Sequence, residues 1–228
     1  MSDHEYVFHC DKEGGRTNVY AVLALLSLGF SLLLIRILHE HPYIKVVAEF
    51  VEAAAPLAVF AILHGFFRKY AWNTPSARPV FAIARSSRPP DLTGSYAGKL
   101  RCFEPEGALQ QNNYEAEVTI TQDWERMLVH FHFPNPPSWM TSSRSDSEIA
   151  VLRGNQQVAE LDFEYRHDRV LDENTGILRR QIHGFTNLQF ERKADLWEAH
   201  GTYFSEDGGS GTITLNQNRV PEAARSQR

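Results

Sequence analysis

Between Val19 and Ile35 the chain reads VYAVLALLSLGFSLLLI, with no charged residue and no polar face. As a helix rising 1.5 Å per residue this run reaches roughly 25 Å. With Arg36 snorkelling and the helix continued through Leu38 it reaches about 30 Å, the thickness of a bilayer hydrocarbon core. A second apolar run, Val46 to Phe67, is interrupted only by Glu49, Glu52 and His64. A helix at the surface of a soluble core would show a polar stripe at helical spacing. The first run shows none, so the pair predicts a two-helix transmembrane hairpin over residues 19–67. It is not a signal peptide: a polar stretch, Ser2 to Arg16, precedes it, and Arg36-Ile-Leu-His-Glu-His stands where a cleavage site of small residues would follow.

Orientation follows from the basic residues near the helix ends. The connection carries Arg36 and Lys45, whereas the outer flanks carry Lys12, Arg16, Arg68, Lys69, Arg78, Arg85 and Arg88. Both termini are therefore expected in the cytosol, with residues 1–18 as an N-terminal segment there. A net charge of −5 argues against a general binder of DNA or RNA. Cys10 and Cys102, separated in sequence by the hairpin, are a poor disulfide pair and suit a reducing compartment. Residues 68–90, with Pro75, Pro79, Pro89 and Pro90 and no acid, read as a basic, semi-extended linker beside the membrane lipids. Within it, Val80 to Ala84 has no assigned structure.

From Asp91 the hydrophobic period changes from 3.6 to 2. Eight strands are expected: 92–102, 114–122, 127–133, 145–152, 159–166, 182–191, 196–205 and 211–216. Turn residues such as Gly154-Asn155 and Asp207-Gly208-Gly209 separate them. Small and large residues alternate along the inward faces, as in Gly94, Tyr96, Gly98, Leu100 and Cys102, and a narrow barrel requires this. Residues 91–218 thus predict a small antiparallel eight-stranded β-barrel, followed by a disordered tail, 219–228. The fold class is a membrane-anchored all-β protein. Each inward face carries a hydrogen-bonding group at one end: Tyr96, Gln122, Tyr165, Thr186, Tyr203 or Ser205. The expectation is one apolar end and one polar, aromatic mouth. The plainer alternative is that each group caps its own strand.

Signals for other chemistry are weak. There is no P-loop, H-E-x-x-H, G-x-S-x-G or Cys-x-x-Cys, so no catalytic or metal residue is assigned. His130 and His132 share a strand face without further ligands in sequence. Asp207 to Gly211 suits a hairpin turn better than a phosphate cradle. In the second span Glu49 and Glu52 share a face at i, i+3, and Pro56 removes an amide hydrogen bond to the carbonyl of Glu52. The acids either snorkel towards Lys45 or form a polar stripe between assembled copies. Ala54, Ala58, Ala61 and Gly65 form a small-residue stripe, either for the neighbouring helix or for another copy.

Gly94-Ser-Tyr-Ala-Gly98, Ile120-Thr-Gln-Asp-Trp124, Ser142-Ser-Arg-Ser-Asp-Ser147, Leu161-Asp-Phe-Glu-Tyr165, His183-Gly184, Gly201-Thr-Tyr-Phe204 and Gly211-Thr-Ile-Thr-Leu215 occur in this order after the hairpin. The arrangement resembles the two-transmembrane β-barrel effectors of bacterial CBASS anti-phage systems. The resemblance implies a non-enzymatic protein of the inner membrane. A partner nucleotidyltransferase makes a cyclic dinucleotide, the cytosolic barrel binds it, and homo-oligomerisation lets the spans disrupt the membrane. No cofactor is implied beyond that ligand.

For such a ligand, Tyr96, Trp124, Tyr165 and Tyr203 would supply stacking faces. Gln122, Thr186 and His183 would read base edges or sugar hydroxyls. Arg144 would clamp phosphate bidentately, with Lys99 and Arg101 in reserve. Two rival readings are a membrane-tethered, lipocalin-like barrel carrying an apolar molecule and a membrane-tethered enzyme. The first predicts an apolar cavity, and the second needs an acid–base pair that the sequence does not offer.

Overall fold

The computed structural model describes residues 4–9, 15–40, 45–103, 112–135, 144–170, 179–206 and 208–218. The chain forms two compact units, residues 10–88 and a barrel built from residues 1–9 with 89–228.

In the first unit α1 runs Gly15–His39 and α2 runs Lys45–Phe66. One stripe of α1 is buried, comprising Val19, Val22, Leu23, Ser27 and Ser31. The serine hydroxyls donate back to the carbonyls of Ala24 and Ser27, which lets small polar residues sit in a helix contact. Tyr20 meets His64 of α2 edge-on at 5.5 Å between ring centroids. Leu25, Phe30, Leu32, Leu33, Ile37, Leu57 and Ile62 are all exposed, and water would not tolerate such a surface. Among the described residues α1 is the one helix long and apolar enough to cross a membrane. The structure therefore offers one candidate crossing helix, and the expected two-helix hairpin is not confirmed. Ala54, Ala58, Ala61 and Gly65 of α2 are exposed, and a methyl group at Gly65 would meet open space. The side chains of Glu49 and Glu52 lie outside the described residues.

The proline-rich linker is not semi-extended. A π-helical turn, Phe67–Ala71, leads to a 3₁₀ turn, Pro75–Ala77, and then to a short helix α3, Arg78–Ala84. Pro75 and Pro79 stand in first turns, where a missing amide hydrogen costs nothing, so they start helices instead of preventing them. The unassigned Val80–Ala84 patch is the body of α3, which Arg85 ends in the left-handed region at φ 51°.

In the second unit the antiparallel strands are β2 (Gly94–Phe103), β3 (Asn112–Gln122), β4 (Arg126–His132), β5 (Arg144–Gly154), β6 (Val158–Val170), β7 (Arg179–Lys193), β8 (Leu196–Ser205) and β9 (Ser210–Gln217). Each pairs with the next and β9 pairs with β2, giving an up-and-down barrel. Its interior is a continuous core of inward residues, including Leu100, Val118, Phe131, Phe163, Phe190 and Ile213. The predicted strands are present, each extended or trimmed by a few residues. The tail, 219–228, lies outside the described residues.

Sequence reading missed β1, His4–His9, inside the stretch taken as a plain N-terminal segment. β4 and β5 pair only over His130–His132 and Arg144–Asp146, then diverge. β1 fills the wedge, antiparallel to β4 at His4 and Glu5 and parallel to β5 from Tyr6 to His9. The divergence coincides with a register shift in β5 between Ser147 and Ile149, and such bulges twist a strand away from its neighbour.

Candidate functional site

In an antiparallel barrel, equivalent positions along successive strands point to opposite ends. The expected single mouth therefore divides in two. Tyr96, Gln122 and Trp124 belong to the near end, where residues 89–93 enter; Tyr165, Thr186, His183 and Tyr203 belong to the far end.

The near end is stoppered. Gln122 Oε1 accepts from the amide of Leu92 at 3.0 Å, and its Nε2 donates to Pro90 O at 3.1 Å. Gln217 plays the same part, accepting from Trp197 N and donating to Thr93 O. Trp197 Nε1 donates to Asp91 O at 2.9 Å. Tyr96 is 1% exposed and its hydroxyl donates to Leu92 O at 2.7 Å. Burial, then the nearby charge of Asp91, pushes that phenol well above the usual tyrosine range. Trp124 is also 1% exposed. As folded, neither ring offers a face for stacking, and the side-chain hydrogen bonds of Gln122 are made to the entering backbone.

The far end is different. Cys102 on β2, Gly211 on β9, Tyr203 on β8 and Thr186 on β7 form one inward row. One row further out stand Ser205, Gly184, Tyr165 and Ser147. Each tyrosine lies over a glycine of the adjacent strand. A methyl group at Gly184 would overlap the Tyr165 ring, and one at Gly211 the Tyr203 ring. Aromatic cover over strand glycines is a recurrent way to stabilise them.

Tyr203 forms the floor: it is 6% exposed, and burial followed by its bond to Cys102 pushes its phenol up. Thr186 lies beside it, also buried. Tyr165 is half-buried and stands above, its hydroxyl reaching Phe204 O at 3.4 Å. Tyr114 packs beside the core from β3. Ser147 Oγ accepts from Val129 N at 2.9 Å where β4 and β5 part, and Ser145 Oγ donates to Arg166 O at 3.1 Å. The far end is thus a rim of hydroxyls around an aromatic floor. Tyr114, Ser145 and Ser147 were not picked out from sequence, although the alternation Tyr114, Ala116, Val118, Ile120 carries the first of them.

His183 is exposed, on the alternate, outward positions. Its Nδ1 lies 3.3 Å from Glu164 and 3.8 Å from Glu148, whose other oxygen is 2.9 Å from Arg166. Glu148, Glu164 and His183 are close enough to hold a cation, but the Arg166 guanidinium already supplies positive charge there. His130 pairs with Asp146. Arg144 begins β5 at the far end, and its side chain lies outside the described residues. Lys99 and Arg101 are both exposed, on the outward alternate positions of β2. The glycine run after Ser205 is a hairpin turn: the amides of Glu206 and Gly208 are used by His183 O and Ser205 O.

This barrel has known relatives. Residues 87–217 match the family model described as Cap15, cyclic dinucleotide receptor domain. The chain is also 24% identical over 226 residues to CD-NTase-associated protein 15 of Yersinia aleksiciae, covering 95% of this chain and 98% of that protein. The family match takes in β2–β9 and with them both ends of the barrel, and it extends over more than half of the sequence. The chain therefore belongs to the Cap15 family of cyclic dinucleotide receptor domains.

Proposed function

We propose that this protein is the membrane effector of a bacterial CBASS anti-phage system. Its cytosolic barrel binds a cyclic dinucleotide made by a partner nucleotidyltransferase, the chains assemble, and their helices disrupt the inner membrane. The observation that carries this reading is one polypeptide joining a receptor barrel of this family to a helix whose apolar side chains are exposed. No step in it is catalytic. The far end is the binding end, because the half-buried Tyr165, Tyr114 and Ser205 are the inward-facing polar groups that reach solvent there, while the near end is occupied by residues 89–93.

Two features support a pair of crossings with both termini in the cytoplasm. Basic residues flank the helices on their outer sides. In addition, β1 precedes the helices and β2 follows them, yet both belong to one barrel and leave it at the near end. A chain that returns to the barrel it left must cross a membrane an even number of times.

Assembly has two exposed surfaces to draw on. One is the Ala54, Ala58, Ala61, Gly65 stripe. The other is an outer row at the far end in which Phe103 of β2, Phe204 of β8, Phe185 of β7 and Ile149 of β5 are exposed, with Ser210 of β9 and Glu164 of β6 between them. The lipocalin-like alternative is disfavoured by the interior, where Phe131, Phe163, Phe190 and Trp197 fill the space that a carried molecule would need.

The test is calorimetry on the full-length chain in detergent against a panel of cyclic dinucleotides, paired with dye entry into cells expressing the chain with a nucleotidyltransferase. Binding of one panel member, and permeabilisation only when it is made, is expected. Absence of binding across the panel would overturn the receptor reading. Permeabilisation by a chain lacking residues 1–88 would overturn the role of the helices.

A further inference from the structure

Residues 89–93 belong to no strand or helix, yet each of their carbonyls in turn is taken by a side chain of the barrel. Gln156 Nε2, in the turn between β5 and β6, donates to Pro89 O at 2.6 Å. Gln122 Nε2 of β3 donates to Pro90 O at 3.1 Å, and Trp197 Nε1 of β8 to Asp91 O at 2.9 Å. The Tyr96 hydroxyl of β2 donates to Leu92 O at 2.7 Å, and Gln217 Nε2 of β9 to Thr93 O at 3.2 Å. Two amides are met as well: Leu92 N donates to Gln122 Oε1 and Thr93 N to Asp91 Oδ1, each at 3.0 Å. Pro89 and Pro90 have no amide hydrogen to satisfy. Both prolines and Leu92 are buried.

Connecting segments ordinarily run over a protein surface, because buried backbone needs partners. Here four strands and a turn each supply a donor, so the near end is built to grip an extended, proline-led peptide. Proline fixes its own φ and extends the residue before it, so holding the segment costs little conformational freedom. The grip also sets a length. The last amide bonded into the end of α3 is that of Ser86, which donates to Phe81 O. From Ser86 to Pro89, the first gripped residue, the chain reaches at most about 10 Å. With residues 89–93 released, the next held residue is Gly94, paired with Ile120. The reach then grows to about 28 Å.

Resting on the reading of the chain as a membrane effector with a receptor barrel, we infer that the near end is a peptide-recognition site for the chain's own residues 89–93. It is a latch that keeps the tether between α3 and β2 short, so that gathering the barrels gathers the helices. The local concentration a tether imposes falls roughly as the −3/2 power of its length. Releasing the latch lowers it about fourfold, and an insert of about twelve residues lowers it roughly tenfold.

The experiment uses full-length protein reconstituted in dye-loaded vesicles of phosphatidylethanolamine and phosphatidylglycerol. These are titrated with cyclic di-AMP, cyclic di-GMP, cyclic di-UMP and the 3′,3′- and 2′-linked forms of cyclic GMP-AMP, and affinities are measured by calorimetry in detergent. One variant, Gln122→Ala with Gln217→Ala, loosens the latch. The other carries about twelve Gly and Ser residues between Ser87 and Arg88 and leaves the latch contacts in place. Both should bind the active nucleotide with wild-type affinity. The nucleotide concentration for half-maximal leakage should rise about fourfold or more in the first and about tenfold or more in the second. The insertion keeps the test decisive if the first variant fails to fold. Half-maximal leakage at the wild-type concentration in either folded variant would overturn the latch and leave the receptor reading intact. Failure of the wild type to bind any panel member, or to release dye on binding, would remove the effector reading and the latch with it.

Discussion

The Tyr203 hydroxyl donates to Cys102 Sγ at 2.9 Å, joining β8 to β2 across the bare backbone of Gly211 on β9. Three consecutive strands are thereby tied through one inner row, and the tie depends on the middle residue having no side chain. At 211 a methyl group would meet both the Tyr203 ring and the Arg101 carbonyl. Gly211→Ala should therefore cost about 1–3 kcal/mol, the usual range for overpacking. Tyr203→Phe should cost about 1 kcal/mol for one neutral hydrogen bond. Thermal unfolding followed by tryptophan fluorescence checks the order; a milder effect for Gly211→Ala than for Tyr203→Phe would contradict it.

Alkaline pH should loosen both ends of the barrel. Tyr96 and Tyr203 have phenols raised above the ordinary value of 10.0, chiefly by burial. The unfolded chain then loses these protons more readily than the folded one, so their contribution is complete below about pH 10 and declines as pH rises beyond it. A melting-temperature series from about pH 8 to pH 11 should be flatter in the Tyr96→Phe, Tyr203→Phe double variant than in the wild type.

Gln122 separates the two ends of the barrel functionally. Its amide makes two hydrogen bonds to the entering backbone, so Gln122→Ala should reduce stability by about 1–3 kcal/mol. Cyclic dinucleotide affinity, measured below the variant's own melting temperature, should not change. Tyr165→Ala should do the reverse, lowering affinity about tenfold or more if one base stacks on it.

The eight barrel strands were legible because a packed interior imposes strict alternation, and alternation survives in single sequences. β1 was not, since Glu5-Tyr-Val-Phe8 is short, does not alternate, and gains its partners only through the wedge between β4 and β5. α3 was hidden by Pro79 and by Pro75 of the turn before it, which read as breakers although they occupy first-turn positions. The residues of the candidate site were mostly visible, but their grouping was not. Tyr96 and Tyr165 look equivalent along their strands, yet antiparallel direction sends one to each end.

On the helices, the exposed small-residue stripe should control assembly. Ala58→Leu with Gly65→Leu should abolish dye entry while leaving nucleotide affinity unchanged, because a methyl at Gly65 meets nothing within its own chain. Full permeabilisation by this double variant would assign assembly elsewhere.

The outer aromatic row offers that alternative surface. Phe185→Ser with Phe204→Ser removes two neighbouring exposed rings from paired positions on β7 and β8. Ligand-dependent growth in particle size, measured by light scattering in detergent, should weaken in this variant with little change in melting temperature.

The wedge strand has a consequence for biogenesis. β1 is synthesised before α1, whereas the strands that receive it, β4 and β5, emerge after the whole helical unit. Such distant pairing is slow to form. During translation, therefore, the seam must stay open until the helical unit has been made and β4 and β5 have emerged. If both helices cross as proposed, a molecule that threads only one of them across the bilayer leaves β1 on the opposite side from its partners, with the facing edges of β4 and β5 unsatisfied. Unpaired edges invite aggregation and proteolysis. Under the proposed double crossing, closure of the barrel would act as a check on insertion, sparing those chains whose helices have crossed in the right number.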